Sequence, residues 1–97
     1  MPTYTRTDTF KRDYSRLSAA DKARFRAAVL SFVSDVGGGK GFRKSLRVKG
    51  VQGAKGVFEM TWAPDGRATF EYGEELASGQ THIVWRRVGT HDVLNRP

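Results

Sequence analysis

The spacing of apolar positions changes twice along this chain, and each change marks a new kind of element. Phe10, Tyr14 and Leu17 recur at i, i+4 and i+7, the repeat of one helical face, with Asp8 just ahead as the expected N-cap. At Ser18 the count restarts. "SAAD" offers a Ser N-cap with a carboxylate at the third helical position, a relative of the capping box. Phe25, Ala28, Val29, Phe32 and Val36 follow on one stripe, and Gly37 to Gly39 stop this second, longer helix. The tight link through Ser18 makes the pair an antiparallel helical hairpin, whose apolar side requires a second layer.

From Leu46 onward the period becomes two. In "VFEMTWAPDGRATFEYG", Pro64, Asp65 and Gly66 are turn residues between two alternating runs, which predicts a β-hairpin. Setting Phe58, Met60 and Trp62 opposite Tyr72, Phe70 and Ala68 makes one face apolar and leaves Pro64 to Gly66 as the loop. Glu59, Thr61, Arg67, Thr69 and Glu71 then share the other face, either as solvated surface, the commoner state of an antiparallel sheet, or as the floor of a binding site. A last strand, "THIVWRRVG", follows the "EELASG" loop, and a short first strand is expected around Tyr4 to Arg6. The predicted fold is α+β, one domain over residues 1–97: a short first strand, then an N-terminal helical hairpin packed on a mostly antiparallel sheet of about four strands.

A chain of 97 residues supports one modest core, which six Phe, three Tyr and two Trp can fill. With no Cys there is no disulfide and no thiolate site, and two His without Cys argue against zinc. No cofactor is expected. No apolar run approaches the ~20 residues of a membrane span, and the N-terminal stretch has no signal-peptide character, so a cytoplasmic protein is expected. Lys+Arg 17 against Asp+Glu 10 gives a formal charge of +7, which favours a polyanionic partner, nucleic acid first, over the alternative of an ordinary basic surface.

The charge is unevenly placed. From Val36 to Phe58 lie Lys40, Arg43, Lys44, Arg47, Lys49 and Lys55, no acidic residue, and seven of the 11 glycines. Its glycine spacing fits no nucleotide-binding fingerprint. The stretch reads as a flexible basic connection leading into a strand.

The order of "LRVKGVQG", "DGRATFEY" and "IVWRRVGTHDVL" behind a helical hairpin resembles the RelE/ParE superfamily of bacterial toxins from type II toxin–antitoxin systems, over nearly the whole chain. The resemblance implies a compact toxin, of a kind that cuts mRNA in the ribosomal A site in many relatives and poisons DNA gyrase in others. It also implies a cognate antitoxin, and a toxin–antitoxin complex that binds operator DNA. Arg67 falls on the family arginine that contacts the scissile phosphate, and His91 where relatives carry a C-terminal Arg or His. Lys44, Arg47, Lys49 and Lys55 fall in the stretch that approaches ribosomal or messenger RNA, with Arg86 and Arg87 as further candidate RNA contacts. Two departures stand out: Glu59 and Thr61 occupy positions where RelE-like members have lysines, and the late tyrosine of several relatives is missing.

RNA cleavage without a metal needs a base for the 2′-hydroxyl, a cation for the charge on phosphorus and an acid for the leaving 5′-oxygen. Glu59 is the candidate base and Arg67, whose guanidinium suits a phosphate, the clamp. His91 offers an imidazole, the side chain whose ordinary titration range lies nearest neutrality. Plainer roles stand beside these: Arg67 pairing with Glu59 or Glu71 across strands, and His91 with Asp92 capping a strand end. His82 is assigned no role, and Trp62 and Trp85 are either core or stacking platforms. The expected function is a ribosome-dependent mRNA endoribonuclease. The rivals are a ParE-like gyrase inhibitor, a weakly active or inactive homologue acting as an antitoxin-bound co-repressor, and an unrelated basic nucleic-acid-binding domain.

Overall fold

In the computed structural model, which describes residues 2–97, the chain opens with β1 (Thr3–Arg6), α1 (Asp8–Ser15) and α2 (Ala19–Gly38). A 3-10 turn (Lys44–Leu46), β2 (Lys49–Gly50), β3 (Phe58–Thr61), β4 (Gly66–Gly73), β5 (His82–Thr90) and a closing 3-10 helix (His91–Asn95) complete it. The strands form one sheet, β1-β5-β4-β3-β2, with β1 parallel to β5 and the other pairs antiparallel. This is the predicted α+β fold with five strands in place of about four. The strand that sequence missed, β2, is two residues long, too short to show an alternation.

The helices form where their caps are. Ser18 Oγ accepts from Asp21 N at 3.1 Å, as predicted. α1 is capped by Thr7 rather than Asp8: Thr7 Oγ1 accepts from Phe10 N at 3.0 Å and donates to the Arg86 carbonyl at 2.9 Å. One hydroxyl thus caps the helix and ties it to β5, while Asp8 sits in the first turn, where the helix dipole favours a carboxylate. α2 continues through Gly37 and Gly38 and stops at Gly39, whose φ of +68° glycine adopts without strain.

Phe10, Phe25 and Phe32 from the helices meet Met60, Ala68, Phe70, Ile83, Trp85 and Val88 from the sheet. Phe32 is central, its ring centroid 4.9 Å from Phe70, 5.1 Å from Trp85 and 5.0 Å from Phe42. Burying one such ring contributes about 1.5–3 kcal/mol. Both tryptophans belong to this layer: Trp85 is buried, and Trp62 packs edge-on against Phe25 at 6.2 Å.

The hairpin register differs from the predicted one. Phe58 faces Phe70 and Met60 faces Ala68, a slip of two positions that leaves residues 62–65 as the loop. Such a slip keeps every side chain on its face, so alternation alone cannot detect it. What sets it is the turn, where Gly66 N donates to Ala63 O at 3.0 Å and Trp62 N to Gly66 O at 3.1 Å. The Trp62 indole lies so close over Gly66 that an added Cβ would come within 2.6 Å of it.

Between β4 and β5 the register also breaks, Thr69 pairing with Arg87 and Phe70 with Trp85, so that Arg86 is the extra residue of a bulge. Trp85 and Val88 both reach the core as a result. β1 covers β5 only as far as Trp85. Beyond it α1 closes the edge: Thr7 N donates to Trp85 O at 3.0 Å, and Asp13 Oδ2 accepts from Val88 N at 3.3 Å.

The face carrying Glu59, Arg67 and Thr69 is not the solvated surface of the plainer expectation. Thr69 is 0% exposed and Glu59 7%. Residues 91–97 fold back over part of it, the Pro97 carbonyl accepting from Thr69 Oγ1 at 3.1 Å and Arg86 Nε at 3.0 Å.

Candidate active site

A cleft of about 490 Å³ opens onto the uncovered part of that face, and its charged walls are Lys49, Glu59, Arg67 and His91. β3 and β4 are adjacent antiparallel strands, and their register sets Glu59 opposite Thr69, two positions along from the Thr61–Arg67 pair and so on the same face as Arg67. Arg67 Nε lies 3.9 Å from Glu59 Oε1, at the outer limit of an ion pair. Its Nη1 donates to the Gly66 carbonyl at 3.0 Å and sits 3.4 and 3.5 Å from those of Pro64 and Ala63. The hairpin turn therefore holds one arm of the guanidinium, leaving Nη2 for a further acceptor. Lys49 stands directly opposite Glu59 across the β2–β3 pairing. His91 arrives from the other side of the sheet, as the first residue of the 3-10 helix after β5, and is exposed. That helix is capped by Thr90, whose Oγ1 accepts from Asp92 N at 3.3 Å. The imidazole takes no part in the cap.

Three residues far apart in sequence and chosen for complementary chemistry thus line one cavity. The plainer pairing of Arg67 is realised only weakly, since Glu71 is taken by Arg86 Nη1 at 3.3 Å.

The candidate RNA contacts divide. Lys44, Arg47, Lys49 and Lys55 are all exposed. Arg47 follows the 3-10 turn in the left-handed region at φ 47° and lines a groove beside Trp62 and Pro64. Arg86 and Arg87 are committed within the chain instead. Arg87 Nε and Nη2 grip both carboxylate oxygens of Asp13 at 2.6 and 3.2 Å, and its Nη1 donates to the Arg96 carbonyl at 3.2 Å. Arg43 of the basic stretch is likewise paired, holding Asp35 through two guanidinium bonds of 2.9 Å and a backbone bond of 3.0 Å. Those hydrogen bonds lower the Asp35 carboxyl to about 2. His82 is buried between two β1 hydroxyls, Nδ1 2.7 Å from Thr3 Oγ1 and Nε2 3.3 Å from Thr5 Oγ1, at the opposite end of β5 from His91 and outside the cleft lining.

The basic stretch is more built than a flexible connection. After β2, Ala54 N donates to Val51 O at 3.2 Å, Val57 N to Ala54 O at 3.1 Å and Val51 N to Val57 O at 2.8 Å. Two consecutive turns, "VQGA" and "AKGV", share Ala54, and each has a glycine at positive φ in third place, Gly53 at 82° and Gly56 at 80°. Val51 and Val57 are buried and pin the base of the loop. Sequence reasoning missed Gln52 and Leu94, which complete the cleft with Gly50 and Val51. The repeated glycine spacing was the available signal for the loop.

The larger cavity, about 550 Å³ between α2 and β1, is lined mostly by apolar side chains such as Val29, Leu30 and Trp85, with Arg6 and Arg26 as its charges among the described residues and no carboxylate or imidazole in its lining.

No family model and no curated protein matches the chain. Solved structures do. The chain is similar to YafQ from Escherichia coli strain BL21(DE3), with a TM-score of 0.70 at 12% identity over 97% of this chain and 98% of that one. It is also similar to a chain of the E. coli DinJ-YafQ toxin–antitoxin complex, with a TM-score of 0.69 at 14% identity over 96% of each. A third is a chain of the RelB-RelE antitoxin–toxin complex of Methanococcus jannaschii, with a TM-score of 0.62 at 13% identity over 94% of each. The fold is therefore the RelE/YafQ-like one, matched along nearly the full length of both chains.

Proposed function

We propose that this chain is the toxin of a toxin–antitoxin pair and that it cuts mRNA on the ribosome. The observation that carries this reading is the meeting of Glu59, Arg67 and His91 in one cleft, with Lys49 on its wall. Glu59 takes the proton of a ribose 2′-hydroxyl, whose oxygen then attacks the adjacent phosphorus. Arg67 holds the phosphate oxygens as negative charge accumulates, with Lys49 as a second cation. His91, protonated, gives a proton to the departing 5′-oxygen. The bond to that oxygen breaks, leaving a cyclic phosphate on one fragment and a 5′-hydroxyl on the other. The strand lysines of RelE-like members are not needed for charge balance here, because Lys49 reaches the cleft from β2, one strand over.

The exposed Lys44, Arg47 and Lys55 supply the longer-range attraction to RNA, and Arg86 and Arg87 serve the fold. Fold relatives solved as toxin–antitoxin complexes support a cognate antitoxin as the neutralising partner; that the joint complex binds operator DNA is part of the same proposal and rests on the sequence resemblance. Mapping mRNA ends after induction in cells tests the reading. Ends appearing with the parent and vanishing with Arg67→Ala and His91→Gln uphold it, while DNA damage without such ends would replace it with the gyrase reading.

A further inference from the structure

The charged groups account for one half of the cleft, and the other half is neutral. It consists of Gly50, Val51, Gln52 and Leu94. A nucleotide whose phosphate sits on Arg67 must place its own base, or the next one, against these walls. Gly50 has open space where a Cβ would stand, so a flat ring can approach the β2 backbone there. Leu94, half-buried on the closing 3-10 helix, offers an apolar surface for its other side.

Gln52 is the one amide side chain in the cleft, and it can both donate and accept. It is exposed, and it occupies the second place of the "VQGA" turn. Three backbone hydrogen bonds and the buried Val51 and Val57 fix the backbone of that turn, which presents the exposed amide at the cleft wall. A Gln amide matches adenine in two hydrogen bonds at once, accepting from N6 and donating to N7.

Resting on the endoribonuclease reading above, we infer that Gln52 recognises an adenine next to the scissile phosphate and makes cleavage base-selective. A bidentate amide–adenine pair discriminates against other bases by roughly 5- to 150-fold. Arginine in the same place would suit guanine through O6 and N7.

The test maps 5′-hydroxyl ends on reporter mRNAs in a ribosome-containing translation reaction, for the parent, Gln52→Leu and Gln52→Arg. The parent is expected to show adenine enriched beside the cut. Gln52→Leu should keep cutting with that preference flattened, and Gln52→Arg should move it toward guanine. Unchanged thermal unfolding of both variants confirms that an exposed turn position was altered without loss of fold. Ends without adenine bias in the parent, or the parent's bias kept in both variants, would overturn the inference alone. A parent that leaves no ends overturns the endoribonuclease reading, and this inference with it.

Discussion

The two faces of the sheet bury their groups by opposite means. On the helical side Phe32, Phe70 and Trp85 pack ring to ring around Met60, and the buried Trp62 Nε1 there has no hydrogen-bond partner. On the other side Thr69, His82 and Glu59 are just as dry, and the first two are answered: Thr69 by the Pro97 carbonyl, His82 by Thr3 and Thr5. Glu59 is the exception. Its nearest cation is 3.9 Å away, and a cleft opens beside it. Glu59 thus keeps accepting capacity for a group that enters the cleft, and this, rather than the abundance of charge, distinguishes the face.

If this contrast is right, mutations on the two faces should separate cleanly. The largest effect is expected in the cleft: His91→Gln should lower cleavage by ~10² to 10⁴ and Arg67→Ala by ~10² to 10³, while thermal unfolding stays near the parent's. His82→Gln is the matched control, and a ribosome cleavage assay should find it active. On the helical face the order reverses. Phe32→Ala should destabilise by about 3–5 kcal/mol in denaturant titration, and the folded fraction should retain its cleavage rate per molecule. Equal losses of rate and stability from both sets would dissolve the distinction.

Intermediate effects are expected where a charge pair serves the fold. Asp13→Ala strips Arg87 and Val88 N of their acceptor and should cost about 1.5–3 kcal/mol, read as a lower midpoint in urea, with RNA affinity unchanged. The smallest effect concerns Asp35 and Arg43, a pair held in water. The Asp35 carboxyl, lowered from 3.8 to about 2 by Arg43, favours the folded chain above the ordinary carboxylate range. That contribution fades as pH falls through about 2. Carboxyl NMR should find the Asp35 midpoint near 2, returning toward 3.8 in Arg43→Gln; an unchanged midpoint would mean the pair is not formed in solution.

What sequence could show depended on how far apart the deciding groups lie. Ser18 and Asp21 cap α2 from three residues apart, and that cap was legible. Thr7 competes with Asp8 only because Arg86 offers its carbonyl from β5, information no local window contains. Arg67 and Arg87 are the same residue type on neighbouring strands. One serves a cleft and the other a structural pair only because Asp13, on α1, reaches Arg87. Alternation, which survives a two-residue slip, set Glu59 and Arg67 on one face, while the resemblance of "DGR" and "GTH" to the family singled out Arg67 and His91. Lys49's place on its wall was not, since β2 becomes visible only once β3 is beside it.

The sheet order also bears on when the protein becomes complete. β5 is the last strand made, yet it lies between β1, the first, and β4. Until residues 82–90 leave the ribosomal exit tunnel, β1 has no sheet neighbour and α1 has no edge to close. His91 follows β5 directly, so the imidazole enters the cleft only after the sheet has been joined. On the endoribonuclease reading proposed above, the cleft cannot be complete until residues 82–90 have joined the sheet and brought His91 with them.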